Sequence, residues 1–134
     1  MRFYKYIFFI TVLFLISCES DQNQSNPLTE KLLGFWVNPV STDSLITYTK
    51  ASFLIPDEYG FQFGEDHYFM ERRNAGWCGT PPVVYADFEG NWTIKDSTVS
   101  ITLNHTEGLI YYEWDVISVD QNNLTLYKKS TVLM

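Results

Sequence analysis

The chain has 134 residues, 46% of them hydrophobic and 17% aromatic, with sixteen acidic against nine basic side chains for a formal net charge of −7. That length allows one hydrophobic core and not two typical domains. Phosphate binding needs clustered cations, so this acidic balance argues against a general grip on nucleic acid or anionic lipid.

The N-terminus carries Arg2 and Lys5, then an uncharged apolar run from Ile7 to Ile16, then Ser17 and Cys18. A basic head, a short apolar stretch and a small residue before a cut make an export signal. The run is too short for a permanent span, since a bilayer core of about 30 Å needs about 20 helical residues. Leu15-Ile16-Ser17-Cys18 resembles the bacterial lipobox. That resemblance implies cleavage before Cys18, lipid on its thiol and amine, and a protein anchored in a membrane without crossing it. With Arg2 and Lys5 removed, seven basic residues face sixteen acidic ones, and the net charge becomes −9.

Residues 1–17 are thus read as a lipoprotein signal peptide, 18–26 as a flexible polar tether and 27–134 as one folded domain. Pro27-Leu28-Thr29-Glu30-Lys31-Leu32-Leu33 predicts a short helix opened by a first-turn proline and closed at Gly34. Gly34-Phe35-Trp36-Val37-Asn38 predicts a first strand, and Leu45–Thr49 a second. Ala51–Ile55 reads equally as strand or as a helical turn before Pro56. Phe61-Gln62-Phe63 and His67–Arg72 predict a hairpin about Gly64-Glu65-Asp66.

In Asn74–Pro82, glycines and prolines forbid regular structure, whereas Trp77 and Cys78 would gain from burial, so this stretch is expected to be a shaped loop. Val83–Phe88 predicts a strand. Gly90–Lys95 and Thr98–Asn104 alternate about Asp96-Ser97, and Leu109–Ile117 and Leu124–Tyr127 extend them into an antiparallel meander. The fold expected is all-β, a barrel of about eight antiparallel strands with one N-terminal helix.

A short helix, Gly34-Phe35-Trp36, and antiparallel strands ending in Lys128-Lys129 resemble the lipocalin-like lipoproteins of Gram-negative bacteria. The resemblance implies that Gly34 and Trp36 close one barrel end, with Lys128 or Lys129 as the basic side chain over the indole. Tyr59-Gly60-Phe61-Gln62-Phe63, Gly76-Trp77-Cys78-Gly79-Thr80-Pro81-Pro82 and Gly90-Asn91-Trp92 are similar to a small subgroup of such lipoproteins with no assigned activity. Glu19 and Asp21 after Cys18 resemble acidic signals for the outer leaflet of the outer membrane. Asp43-Ser44-Leu45 and Asp96-Ser97-Thr98 resemble bacterial O-glycan sites, placing Ser44 and Ser97 as acceptors, although Asp-Ser is also ordinary turn chemistry.

Chemistry-bearing residues are sparse. Once Cys18 is lipidated, Cys78 is the one thiol of an exported protein, and it reads as buried apolar filler, an intermolecular disulfide or a reactive group. His67 and His105 fall near turns without metal-ligand spacing, and Asp57-Glu58 and Glu65-Asp66 lack a calcium-loop pattern. No catalytic residue, metal or cofactor is expected. Aromatic richness suggests a small apolar or aromatic ligand among Phe61, Phe63, Tyr85, Trp92, Tyr112 and Trp114, in a monomeric, membrane-tethered, non-enzymatic binder. Tyr111 and Tyr112 must face opposite sides of their strand, so only one of them lines an interior. A protein-interaction or inhibitor lipoprotein with a filled barrel, working through residues 77–82, is the alternative.

Overall fold

The computed structural model describes residues 26–76 and 83–134. Helix α1 (Pro27–Leu32) precedes eight strands: β1 (Gly34–Thr42), β2 (Leu45–Ala51), β3 (Gly60–Phe63), β4 (Tyr68–Asn74), β5 (Tyr85–Lys95), β6 (Thr98–His105), β7 (Gly108–Val119) and β8 (Asn123–Leu133). All pairings are antiparallel and the sheet closes on itself. The eight-stranded barrel with one short helix is therefore the fold that the alternation predicts. Cys18, Trp77 and Cys78 lie outside the described residues, as do the tether up to Ser25 and the loop 77–82.

From β5 to β8 the barrel is the expected meander, each strand pairing with the next. Period-2 burial sets the register: Val99, Ile101 and Leu103 point inward from β6, and Ile110, Tyr112, Trp114 and Val116 from β7. Gly90, read as the head of a strand, lies inside β5 instead. A Cβ there would collide with the carbonyl oxygen of Thr102, so glycine is what lets β5 and β6 approach. The expected strands Val83–Phe88 and Gly90–Lys95 accordingly join into one that begins at Tyr85, with Val83 and Val84 outside it.

Strand order departs from a pure meander at β1, which lies between β2 and β3, while β2 pairs with β8 to close the barrel. β2 and β3 run the same way on either side of β1, so residues 52–59 must cross over it. Leu54 from this crossover is buried, and a Cβ on Gly60 would come within 3.0 Å of its Cδ2 and 3.1 Å of Val37 Cγ1. That cover explains why Val37, next to inward-facing Trp36, is only 2% exposed. Ala51 ends β2, and Ser52–Ile55 forms neither the strand nor the helical turn allowed by its composition.

α1 closes one end. Asn26 caps it by accepting from Leu28 N–H at 3.0 Å, and Pro27 occupies the first turn, where a missing N–H costs nothing. Leu32 is fully buried, and its carbonyl accepts from Trp36 Nε1 at 2.7 Å, tying helix to barrel floor. Gly34 between them has φ +123°, a conformation that suits glycine, and a Cβ there would meet Lys50 Cε at 2.9 Å. The cation over the Trp36 ring is Lys50 of β2, 5.1 Å from its centroid. Lys128 lies elsewhere, because β1 is flanked by β2 and β3, so that β3 and not β8 takes the other side of Trp36.

Above this floor the barrel is filled. Phe61 is its hub, with ring centroids at 4.7 Å from Tyr48, 5.3 Å from Trp114, 5.4 Å from Phe63 and 5.9 Å from Phe69. Edge-on, tilted and stacked contacts at these separations are favourable beyond simple area burial.

Candidate functional site

Strand ends are staggered at the end opposite α1. β3 pairs with β4 only as far as Arg72, and β2 pairs with β8 only as far as Tyr127. β4 runs on to Asn74 with β5 as partner, and β8 to Leu133 with β7. Above those levels no strand bridges β4 to β8 among the described residues. A cup of about 420 Å³ occupies this gap, lined by Tyr59, Glu71, Arg73, Asn74, Tyr112, Lys128 and Thr131.

Alternation puts these side chains there. On β4, Glu71 and Arg73 follow Phe69 on the inner face, and on β8 Lys128 follows Leu124 and Leu126. Glu71 is 2% exposed, the one buried charged residue among those described. Each of its oxygens has a hydroxyl donor: Tyr59 gives to Oε1 at 2.6 Å and Tyr112 to Oε2 at 2.8 Å. Each hydroxyl also accepts from a cation, Tyr59 from Lys128 Nζ at 3.4 Å and Tyr112 from Arg73 Nη1 at 3.1 Å. Arg73 Nη1 lies 3.7 Å from Glu71 Oε2 as well. Two cations thus converge on one carboxylate through two phenols, a network in which each bond polarises the next.

Lys128 projects its ammonium over three rings, 4.6 Å from the centroid of Trp114, 5.4 Å from Tyr59 and 5.7 Å from Tyr48. Cation–π attraction strengthens when the cation is desolvated. Burial pulls the Lys128 ammonium below its ordinary value, and the charge of Glu71 works against that pull. Burial pushes the hydroxyls of Tyr59, Tyr112 and Tyr48 upward, and the Glu71 charge adds to it in each case. At neutral pH all three phenols therefore keep their protons, and Tyr59 and Tyr112 act as donors to Glu71.

Sequence-predicted residues separate into three places. Phe61, Phe63, Trp92 and Trp114 are in the packed interior, each 2% exposed or less, and fill the space expected to hold a ligand. Tyr112 lines the cup, and Tyr111 faces outward to Ser100 Oγ at 3.2 Å, so the pair divides between the two faces. Tyr85 lies apart, beside a surface hollow with Pro56, Asp57, Arg72 and Asp87. The adjacent pairs Arg72-Arg73 and Lys128-Lys129 each split between the two faces: Arg72 forms a forked pair with Asp87 outside, at 2.7 and 2.8 Å, and Lys129 pairs with Asp115 at 2.9 Å. Their neighbours Arg73 and Lys128 turn inward. Sequence reasoning passed over Glu71 and Tyr59 as site residues. The signal for Lys128 was present in the alternation Leu124, Leu126, Lys128.

His67 sits in the β3–β4 turn with Nδ1 3.0 Å from the Trp92 carbonyl oxygen, and His105 stacks on Phe88 at 5.1 Å. No group of three or more metal-ligating side chains occurs among the described residues. No family model matches the chain, and no curated protein or solved structure shows significant similarity to it.

Proposed function

We propose that the chain is a non-catalytic binding protein of the bacterial cell envelope, tethered by lipid at Cys18 and taking a small ligand into the cup between β4 and β8. The observation that carries the binding reading is the cup itself. Its volume of about 420 Å³ falls within the range of small-molecule sites. It is walled by convergent polar side chains held in place by one another, while the rest of the interior is solid. The ligand locus therefore moves from the aromatic centre to the polar mouth. The tether rests on the export signal and the lipobox resemblance, and Glu19 and Asp21 after Cys18 favour the outer membrane.

The test is native mass spectrometry of the full chain extracted from its own envelope. The expected spectrum shows acyl mass on a chain beginning at Cys18 and a small molecule that dissociates on activation. Cys18→Ala is expected to leave the membrane fraction. Protein without any retained small molecule, but bound to a protein, would instead favour an interaction lipoprotein working through residues 77–82.

A further inference from the structure

The cup holds one carboxylate and two cations, and each oxygen of the carboxylate already accepts one hydrogen bond. Glu71 accepts from two phenols, and those phenols accept from Lys128 and Arg73. The donors that the network leaves over outnumber the acceptors. An ammonium has three N–H groups and a guanidinium five. Lys128 Nζ makes one long hydrogen bond and lies over three ring faces, and its side chain also lines the open cup. No carboxylate forms an ion pair with Lys128 among the described residues. Arg73 Nη1 reaches Tyr112 and Glu71, and the guanidinium also lines a second space of about 420 Å³ along the same rim, with Asn74, Phe88 and His105.

Formal charges in the cup sum to +1, in a chain whose whole charge is −7. The surrounding field is of the opposite sign, so any selection for anions is built by these side chains locally. A neutral apolar guest would strip water from two cations and return nothing. A cationic guest meets like charge. A dianion would leave the half-buried site with surplus negative charge beside Glu71, whereas a monoanion brings the sum to zero.

We propose that the cup binds a small organic monocarboxylate, its carboxylate held by Lys128 and Arg73 and its body lying against the rings of Tyr59 and Tyr112. Asn74 and Thr131 supply further polar contacts at the opening. This inference rests on the binding function proposed above and names the ligand's chemistry. Lys128 is the specificity-determining residue, because its ammonium has no ion-pair partner among the described residues. Arg73 adds a planar donor pair suited to two carboxylate oxygens.

The test is a matched panel, titrated calorimetrically and by amide chemical-shift changes at constant ionic strength. Benzoate, phenylacetate and hexanoate are compared with their neutral amides and with amines of the same carbon skeleton. At least one acid is expected to bind about 10-fold or more tightly than its amide, with shifts at Arg73, Tyr112 and Lys128. Lys128→Met is expected to weaken that acid about 10- to 100-fold, and Lys128→Arg to keep most of the affinity, with circular dichroism showing both variants folded. If amides or amines bind in the cup as well as acids, the charge selection is wrong and the binding function stands. If Lys128→Met binds the acid as wild type does, the assignment of Lys128 is wrong. If no probe of any class shifts cup residues and the envelope protein carries no small molecule, both the inference and the binding function fall.

Discussion

Tyr59 and Glu71 are joined by a 2.6 Å hydrogen bond that fixes the crossover between β2 and β3 to the inner face of β4. Removing the hydroxyl leaves a buried carboxylate oxygen without its donor. Tyr59→Phe is expected to destabilise the fold by about 1–3 kcal/mol in urea unfolding. Tyr112→Phe should act similarly, and the double variant should depart from additivity by at least about 0.5 kcal/mol, because both phenols serve one carboxylate. Additive losses would mean that the two bonds are independent.

Phe61 touches four other rings at the centre of the barrel, so no neighbour can swing into the space it leaves. Phe61→Ala is expected to cost about 3–5 kcal/mol. Denaturant midpoints measure this, and a loss below about 1 kcal/mol would show that the interior is loosely packed.

Gly90 has no room for a methyl group against the Thr102 carbonyl. Gly90→Ala should therefore force β5 away from β6 and destabilise by about 3 kcal/mol, the upper end for overpacking. Chemical shifts in both strands are expected to move together. A variant as stable as wild type would show that the two strands are not held this close.

Alkaline pH tests the buried phenols. Tyr48, Tyr59 and Tyr112 all have values raised in the fold, burial being the main cause, so the unfolded chain gives up these protons first as pH climbs past 10.0. The native state then binds more protons than the unfolded one. Their contribution is complete below pH 10 and is lost as pH rises toward the folded values, at up to about 1.4 kcal/mol per pH unit for each tyrosine. Lys128 has the opposite sign: its value is lowered from 10.5, so between the two values the unfolded chain holds more protons and stability rises with pH. Arg73 and Glu71 are the other charged groups of this cluster. Urea midpoints between about pH 8 and 11 should therefore rise slightly, then fall steeply. Tyr112→Phe should make that fall shallower, and an unchanged slope would remove Tyr112 from the set.

The half of the barrel from β5 onward is legible because alternation and turn chemistry agree: Asp96 takes positive φ at the turn beside Ser97, and Val99, Ile101 and Leu103 repeat at period two. The place of β1 is not legible, since it depends on where residues 52–59 travel, and Ser52–Glu58 carries no periodicity to say so. Charge misleads at the cup. Arg73 and Lys128 sit next to residues of the same sign that do face solvent, and only the phase of the strand separates each pair. Glu71 needs Tyr59 and Tyr112, twelve and forty-one residues away, to be tolerable inside, and pairing at that distance is a property of the closed barrel.

β8 both seals the cylinder against β2 and supplies Lys128 to the cup. Without β8 in place the cup lacks Lys128 and Thr131, so its lining is complete only in the closed barrel. An occupant touching both β4 and β8 would link two strands that no other strand joins at that level among the described residues, so saturation should slow unfolding and reduce proteolysis.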